Sequence, residues 1–276
     1  MDFSFIREDF DINSIAKSML SIQINPDGFS FVICPVNSIQ NPDYIYIKTI
    51  DNPETENLKD ALLSFNGFDL KEFYSIRIMF PESTFALVPE SIFDLQDMKA
   101  YLKLTHPPQA HKKPLSHMVA GVGAICVFSI DESLFKLLRK KFPGSDFCHT
   151  FLPLCTYALS TRQDGCFIQI YKNMMELLMI KDQKLLLYNI FELQNENDIA
   201  YFTLNAYKTS QMDLISNPLC IAGFLTENSE AINISGRYIK NIRYYSADDI
   251  NKAQFGSLNY PLNYFLNHRE ILNCEL

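Results

Sequence analysis

LSIQINPDGFSFVICP, residues 20–35, is the stretch on which the fold turns. Apolar residues alternate with small or polar ones on both sides of Asn25 to Gly28, and Pro26, Asp27 and Gly28 supply turn chemistry. The segment therefore predicts two antiparallel strands joined by a tight hairpin in which Gly28 takes a positive φ. Working outward, Tyr44 to Ile50 (YIYIKTI) alternates as a third strand. Thr55 to Phe65 puts Leu58, Ala61, Leu62 and Phe65 on one face of a helix that Gly67 stops, and Phe73 to Phe80 follows as a strand.

The middle of the chain is less regular. Thr84 to Val88 predicts a short strand and Asp94 to Leu104 a helix with Met98, Tyr101 and Leu102 inward. His106 to Pro114 (HPPQAHKKP) predicts an exposed loop, since its prolines lack backbone donors. Met118 to Ile130 reads as one long strand. Asp131 reads as the cap of a helix running to Lys141 and ended by Pro143-Gly144. A short strand over Phe147 to Phe151 and a helix over Leu152 to Ser160 precede Thr161 to Gly165 (TRQDG), the expected boundary between domains 1–160 and 161–276.

The second half of the chain repeats the first. Cys166 to Tyr171, Met174 to Ile180 and Lys184 to Leu193 predict strands, Glu196 to Met212 a helix, and Pro218 to Leu225 a further strand. Ile22-Gln23-Ile24 recurs as Ile168-Gln169-Ile170 (168 − 22 = 146), Leu58 as Ile199 (199 − 58 = 141) and Ile76 as Leu219 (219 − 76 = 143). Short matches arise by chance, but three offsets this close together point to an old duplication. The tail, Asn259 to Cys274, predicts a helix with Asn259 as its cap.

Composition removes several classes of function. With 276 residues, 47% hydrophobic and 20% charged, the chain carries enough apolar area for packed cores and is not disordered. Its 24 Lys and Arg against 32 Asp and Glu leave a net charge of -8, the wrong sign for affinity built on phosphate neutralisation, so no nucleic-acid partner is expected. The first twenty residues mix acids with apolar residues and lack a basic region followed by an apolar core, which argues against a secretory signal. The longest apolar stretch without formal charge, Leu115 to Ile130, falls short of the roughly 18 residues a spanning helix needs, so no membrane span is expected. Seven cysteines without CxxC spacing read as buried free thiols, and the expected location is cytoplasmic.

The familiar local signatures of phosphate, dinucleotide, acyl and zinc chemistry are missing. Cys148-His149 with Cys155 comes nearest to a reactive cluster, but neighbours on a strand point to opposite faces, so neither catalytic nor metal-binding residues are assigned. His106, His111 and His117 bracket the Pro-rich segment and read, with Lys112 and Lys113, as a solvated basic loop. Tyrosine and phenylalanine are dense in the last third, which suits a core and leaves some for an interface.

Three strands, a helix and a strand, given twice, resemble the actin-like ATPase superfamily, in which two ribonuclease-H-like domains face each other across a nucleotide cleft. LSIQINPDGFSF at 20–31, with FPESTFALVPESIF at 80–93 and YLKL at 101–104, resembles more closely an uncharacterised family of Bacteroidetes-type bacteria with that fold and no established activity. The resemblance implies an α/β chain of two ribonuclease-H-like domains. In active members of the superfamily each domain opens on an Asp-x-Gly turn: the carboxylate organises magnesium, and the glycine lets backbone N–H groups reach phosphate. Laid on this chain, that pattern puts Gln23 and Asn25, and in the second half Gln169 and Tyr171, at the Asp and Gly positions. A neutral amide lacks the charge that holds Mg²⁺, and Tyr171 puts a side chain where backbone would approach phosphate. Asp27 and Gly28 lie further round the first turn, as hairpin chemistry or as a substitute. Ala222-Gly223 falls where the superfamily packs adenosine, as a vestigial site or as a close-packing strand end.

The resulting expectation is a degenerate actin-like protein that binds or scaffolds a protein partner. No cofactor is expected. The alternatives are a working ATPase or phosphotransferase that uses ATP with magnesium, drawing a carboxylate from Asp27 or Asp164 at a non-standard interdomain site, and an adaptor that recruits a partner to a membrane complex.

Overall fold

The computed structural model describes residues 2–7, 10, 12–39, 41–50, 55–64, 73–225, 229–245 and 262–274. Two compact units divide the chain: Met1–Leu152 with Ile271–Leu276, and Pro153–Glu270.

In the first unit the alternating pattern around Asn25 to Gly28 forms the expected hairpin, β2 (Ser18–Asn25) and β3 (Gly28–Pro35), with Gln23 opposite Ser30 and Asn25 opposite Gly28. β4 (Tyr44–Thr49) pairs with β3 and is flanked by β1 (Asp2–Ile6). The chain crosses through α1 (Thr55–Ser64) and returns as β5 (Ser75–Phe80), parallel to β2, as a connection with a helix in it allows. With β9 (Asp146–His149) at its edge, the six-stranded sheet has the order β1-β4-β3-β2-β5-β9. One face of the sheet, with Leu20, Ile22, Phe31 and Ile78, forms a core with Leu62 of α1 and Leu138 of α3 (Glu132–Lys141). All eight residues of β2 are buried, so its other face, carrying Ser21 and Gln23, is covered too.

Inserted before β9 is a second sheet, made of β6 (Phe85–Pro89), β7 (Lys112–Val119) and β8 (Ala124–Asp131) in the order β6-β8-β7. Asp94 accepts from the Gln96 N–H and caps a 3-10 turn that leads into α2 (Met98–Thr105), whose Leu102 is buried. Asp131 caps α3 as expected, its Oδ1 accepting the Leu134 N–H at 2.9 Å. After β9 the chain enters α4 (Phe151–Ser160), the helix expected over Leu152 to Ser160.

The second unit continues through β10 (Gly165–Ile170), β11 (Met174–Lys181), β12 (Lys184–Glu192), α5 (Asn197–Ser210), β13 (Leu219–Gly223), α6 (Glu230–Ser235) and β14 (Ile242–Tyr244). Its sheet order, β12-β11-β10-β13-β14, matches β4-β3-β2-β5-β9 strand for strand. The registers agree as well. Leu20 opposes Ile76 where Cys166 opposes Leu219, and Gln23 opposes Met79 where Gln169 opposes Ala222. Ile168, Leu177 and Ile221 pack on Ile199 and Tyr207 of α5 to make the second core.

Two expectations need correction. Met118 to Ile130 is not one strand: it is the end of β7, a turn at 120–123 and β8, because Gly121 and Gly123 take φ of 86° and 62° and reverse the chain. The exposed loop is shorter than HPPQAHKKP, since β7 begins at Lys112 and Pro114 sits within it, tolerated because β7 is an edge strand. β1, α6 and β14 were not anticipated. Phe65, Gly67 and Asn259, named as a helix residue, a helix stop and a helix cap, lie outside the described residues, while the tail does form a helix, α7 (Leu266–Asn273).

Candidate functional site

The first of the two strand ends is built by the β2–β3 hairpin. Gln23 is 1% exposed. Its Nε2 donates to Asn25 Oδ1 at 2.6 Å, and its Oε1 is buried without a partner. Asn25 is buried as well, and Asp27 is half-buried with its carbonyl accepting the Ile50 N–H at 2.8 Å. Gly28 has φ of +143°, and a Cβ there would lie 1.9 Å from the Lys48 carbonyl oxygen on β4. The turn therefore needs glycine for its own packing, whatever else approaches it.

The second strand end has the same plan with different side chains. Gln169 is again 1% exposed, again with a buried Oε1 that has no partner. It stands opposite Glu176 on β11 and Ala222 on β13. Two residues on, the Tyr171 hydroxyl donates to Glu176 Oε1 at 2.7 Å and accepts from Asn267 Nδ2 at 3.1 Å, while the Tyr188 hydroxyl donates to Glu176 Oε2 at 3.1 Å. Glu176, Gln169 and Asn267 are all buried. A carboxylate taken out of water is tolerated only with donors on its oxygens, and the two phenols supply them. Gly223 (φ +94°) closes the site. A Cβ on it would lie 2.1 Å from the Ile170 carbonyl oxygen, the same oxygen that accepts the Phe224 N–H at 2.8 Å.

Gln23 and Asn25 thus stand at the end of β2 with Asp27 and Gly28 in the turn that follows, and Gln169 stands beside Ala222, with Ile170 opposite Gly223 and Tyr171 next along the chain. Sequence reasoning passed over Glu176, Tyr188 and Asn267. The signal for Glu176 was present: it is the one acid in the apolar run MMELLMI, and an acid on a strand buried along its length must find partners.

The Cys148-His149 pair has a structural setting. Burial pushes the Cys148 thiol well above its ordinary pKa, away from the thiolate that reactivity requires. His149 is fully buried, with Nδ1 accepting the Phe151 N–H at 3.0 Å and Nε2 donating to the Glu82 carbonyl at 2.8 Å, which fixes one neutral tautomer. Burial pushes its pKa down to about 3. His106 and His111 line one groove with Lys112, whereas His117 faces a different cavity of about 400 Å³ beside Arg139 and Asp146. Among the described residues no group of three or more His, Cys, Asp or Glu is placed to hold a metal ion, and no helix is long and apolar enough to cross a membrane.

A Bacteroides thetaiotaomicron protein with actin-like ATPase fold and unknown function has a structure that superposes with a TM-score of 0.79 at 20% identity, covering 96% of this chain and 99% of that one. The PilM-PilN type IV pilus biogenesis complex contains a chain that superposes with a TM-score of 0.55 at 9% identity, covering 93% of this chain and 99% of that one. At such identities the likeness is one of fold, and this chain has the actin-like ATPase fold. No curated protein matches the sequence. The family model described as a protein of unknown function (DUF3822) matches residues 7–242, so the chain belongs to that family, as the motifs at 20–31, 80–93 and 101–104 led us to expect.

Proposed function

We propose that this protein is a degenerate member of the actin-like ATPase fold, located in the cytoplasm, that binds a protein partner and does not hydrolyse ATP. In this reading residues 1–160 and 161–276 are two copies of a ribonuclease-H-like domain, and the repeated strand order supports it. The observation that carries the reading is the pair of buried glutamines. Both positions that the superfamily resemblance reserves for a magnesium-organising carboxylate hold an amide at 1% exposure, Gln23 and Gln169.

The rest of the second half-site supports the same conclusion. The ring of Tyr171 occupies the place where backbone would have to reach a phosphate, and its hydroxyl is already engaged by Glu176 and Asn267. Gly223 is accounted for by its approach to Ile170. With the chemistry gone, what remains of such a fold is its surface, and the PilM-PilN complex is a precedent for a similar fold assembled with another protein.

Thermal unfolding with and without millimolar ATP and Mg²⁺ tests the reading. A ligand at 100 times its dissociation constant adds about 2.7 kcal/mol of stability, a midpoint rise of several degrees at about 2–4 °C per kcal/mol. No shift is expected. A rise that requires Mg²⁺ would overturn the proposal in favour of a live nucleotide site.

A further inference from the structure

We propose that a groove in the first unit, between α2, the segment 106–111 and β7, is a binding site for a compact phosphorylated small molecule. The groove has a volume of about 310 Å³, at the small end of ligand pockets. Two features meet in it, a pair of hydroxyl side chains and a pair of lysines without an ion pair among the described residues.

Thr84 and Ser129 line the groove at 6% and 3% exposure. Each brings a hydroxyl, a donor and acceptor in one group, to the wall of the groove. A bound phosphate oxygen could accept from either hydroxyl.

Lys99 and Lys103, one turn apart on α2, line the same groove, and both are exposed without an ion pair among the described residues. Like charges at this spacing repel, and Lys99 stands in the first turn of its helix, where the dipole disfavours a cation. Lys103 in the last turn can be explained by the dipole alone; Lys99 cannot. Lys112 enters from β7, partly neutralised by Glu82 at 3.5 Å. Among the described residues Glu132 is the single acid lining the groove, and it is bound to Lys136 at 2.8 Å. In a chain of net charge -8, Lys99 and Lys103 are a local concentration of positive charge without an ion pair among the described residues.

The donor set selects the anion. Ammonium groups and hydroxyls are point donors that suit a tetrahedral phosphate, whereas a planar carboxylate is best matched by the guanidinium fork, and among the described residues no arginine lines the groove. No Phe, Tyr or Trp among them lines it either, so the phosphate's carrier is a compact group and not a stacked base. Neither Gln23 nor Gln169 lines the groove, and the assignment does not depend on whether the fold binds ATP.

Calorimetric titration of the full-length protein with inorganic pyrophosphate, at low salt without magnesium, tests the assignment. We expect saturable one-site binding, weakened at least tenfold in the double variant Lys99→Gln/Lys103→Gln and several-fold in Ser129→Ala, and unchanged in Lys208→Gln on α5. Absence of saturable binding overturns the proposal, as does equal weakening by Lys208→Gln, which would mean diffuse charge attraction. A phosphoserine peptide that binds tenfold tighter than pyrophosphate also overturns it, because the groove would then belong to a protein partner.

Discussion

The phenol of Tyr171 donates to Glu176 Oε1 at 2.7 Å while accepting from Asn267 Nδ2 at 3.1 Å, so a single oxygen ties β11 to the last helix through the end of β10. Tyr171→Phe keeps the ring and deletes that oxygen. The buried acid then loses one donor and the Asn267 amide loses its acceptor, at a cost of about 1–3 kcal/mol. The expected result is a lower urea midpoint at unchanged denaturant slope, and an unchanged midpoint would show that the network contributes nothing to stability.

Gly223 separates a packing role from a ligand role. Its φ of +94° and the 2.1 Å that would separate an added methyl carbon from the Ile170 carbonyl oxygen both penalise any side chain. Gly223→Ala is therefore expected to lower stability by at least about 2 kcal/mol. The loss should be the same with ATP present or absent, as thermal melts would record.

His149 makes the first unit sensitive to acid. Its pKa is near 3 in the folded protein because burial disfavours the cation, against about 6.5 in an unfolded chain. The unfolded state therefore binds the proton first: the contribution is complete above about pH 6.5 and is lost progressively as pH falls from there towards 3. The slope attributable to this one group approaches about 1.4 kcal/mol per pH unit. His149→Asn is expected to be less stable at pH 7 yet to show a flatter profile between pH 6 and 4. An identical slope in the variant would exclude His149 as the source.

The strands that sequence reading placed well are those with a clean period and marked ends. Ile22 and Ile24 alternate around Gln23 up to the Pro-Asp-Gly turn, and Asp131 announces α3 by the cap it forms with Leu134. The hairpin between β7 and β8 was missed because both strands are apolar across the turn, leaving only Gly121 and Gly123 to show the reversal. β1 was missed because Phe3 and Phe5 alternate over only five residues before the charged run Arg7-Glu8-Asp9, and it gains its place by pairing with β4. At the half-sites, spacing placed Gln23 and Gln169 on matching strands. It could not show that Asn267, 96 residues beyond Tyr171, returns to that hydroxyl, since nothing local encodes a contact of such range.

Placing carboxylates at Gln23 and Gln169 is the most direct trial of the proposed degeneracy. Gln23→Asp removes the bond from Nε2 to Asn25 Oδ1 and leaves a carboxylate beside that same oxygen, while Gln169→Asp introduces one opposite Glu176. Both positions are 1% exposed, so each new acid is taken out of water and its pKa rises. A raised folded-state pKa gives a definite sign: the variants are expected to lose about 3–5 kcal/mol at pH 7 and to recover part of it as pH falls towards 4, where the new acid protonates. If the sites are degenerate, adding ATP and Mg²⁺ leaves both melting curves where they were, because Tyr171 still fills the approach to phosphate. If a magnesium site survives, the metal supplies the missing cation, and ATP with Mg²⁺ raises the midpoint of a variant that is otherwise less stable. The two outcomes move the same curve in distinguishable ways, so one pair of substitutions decides between a fold that retains its chemistry and one that has kept only its frame.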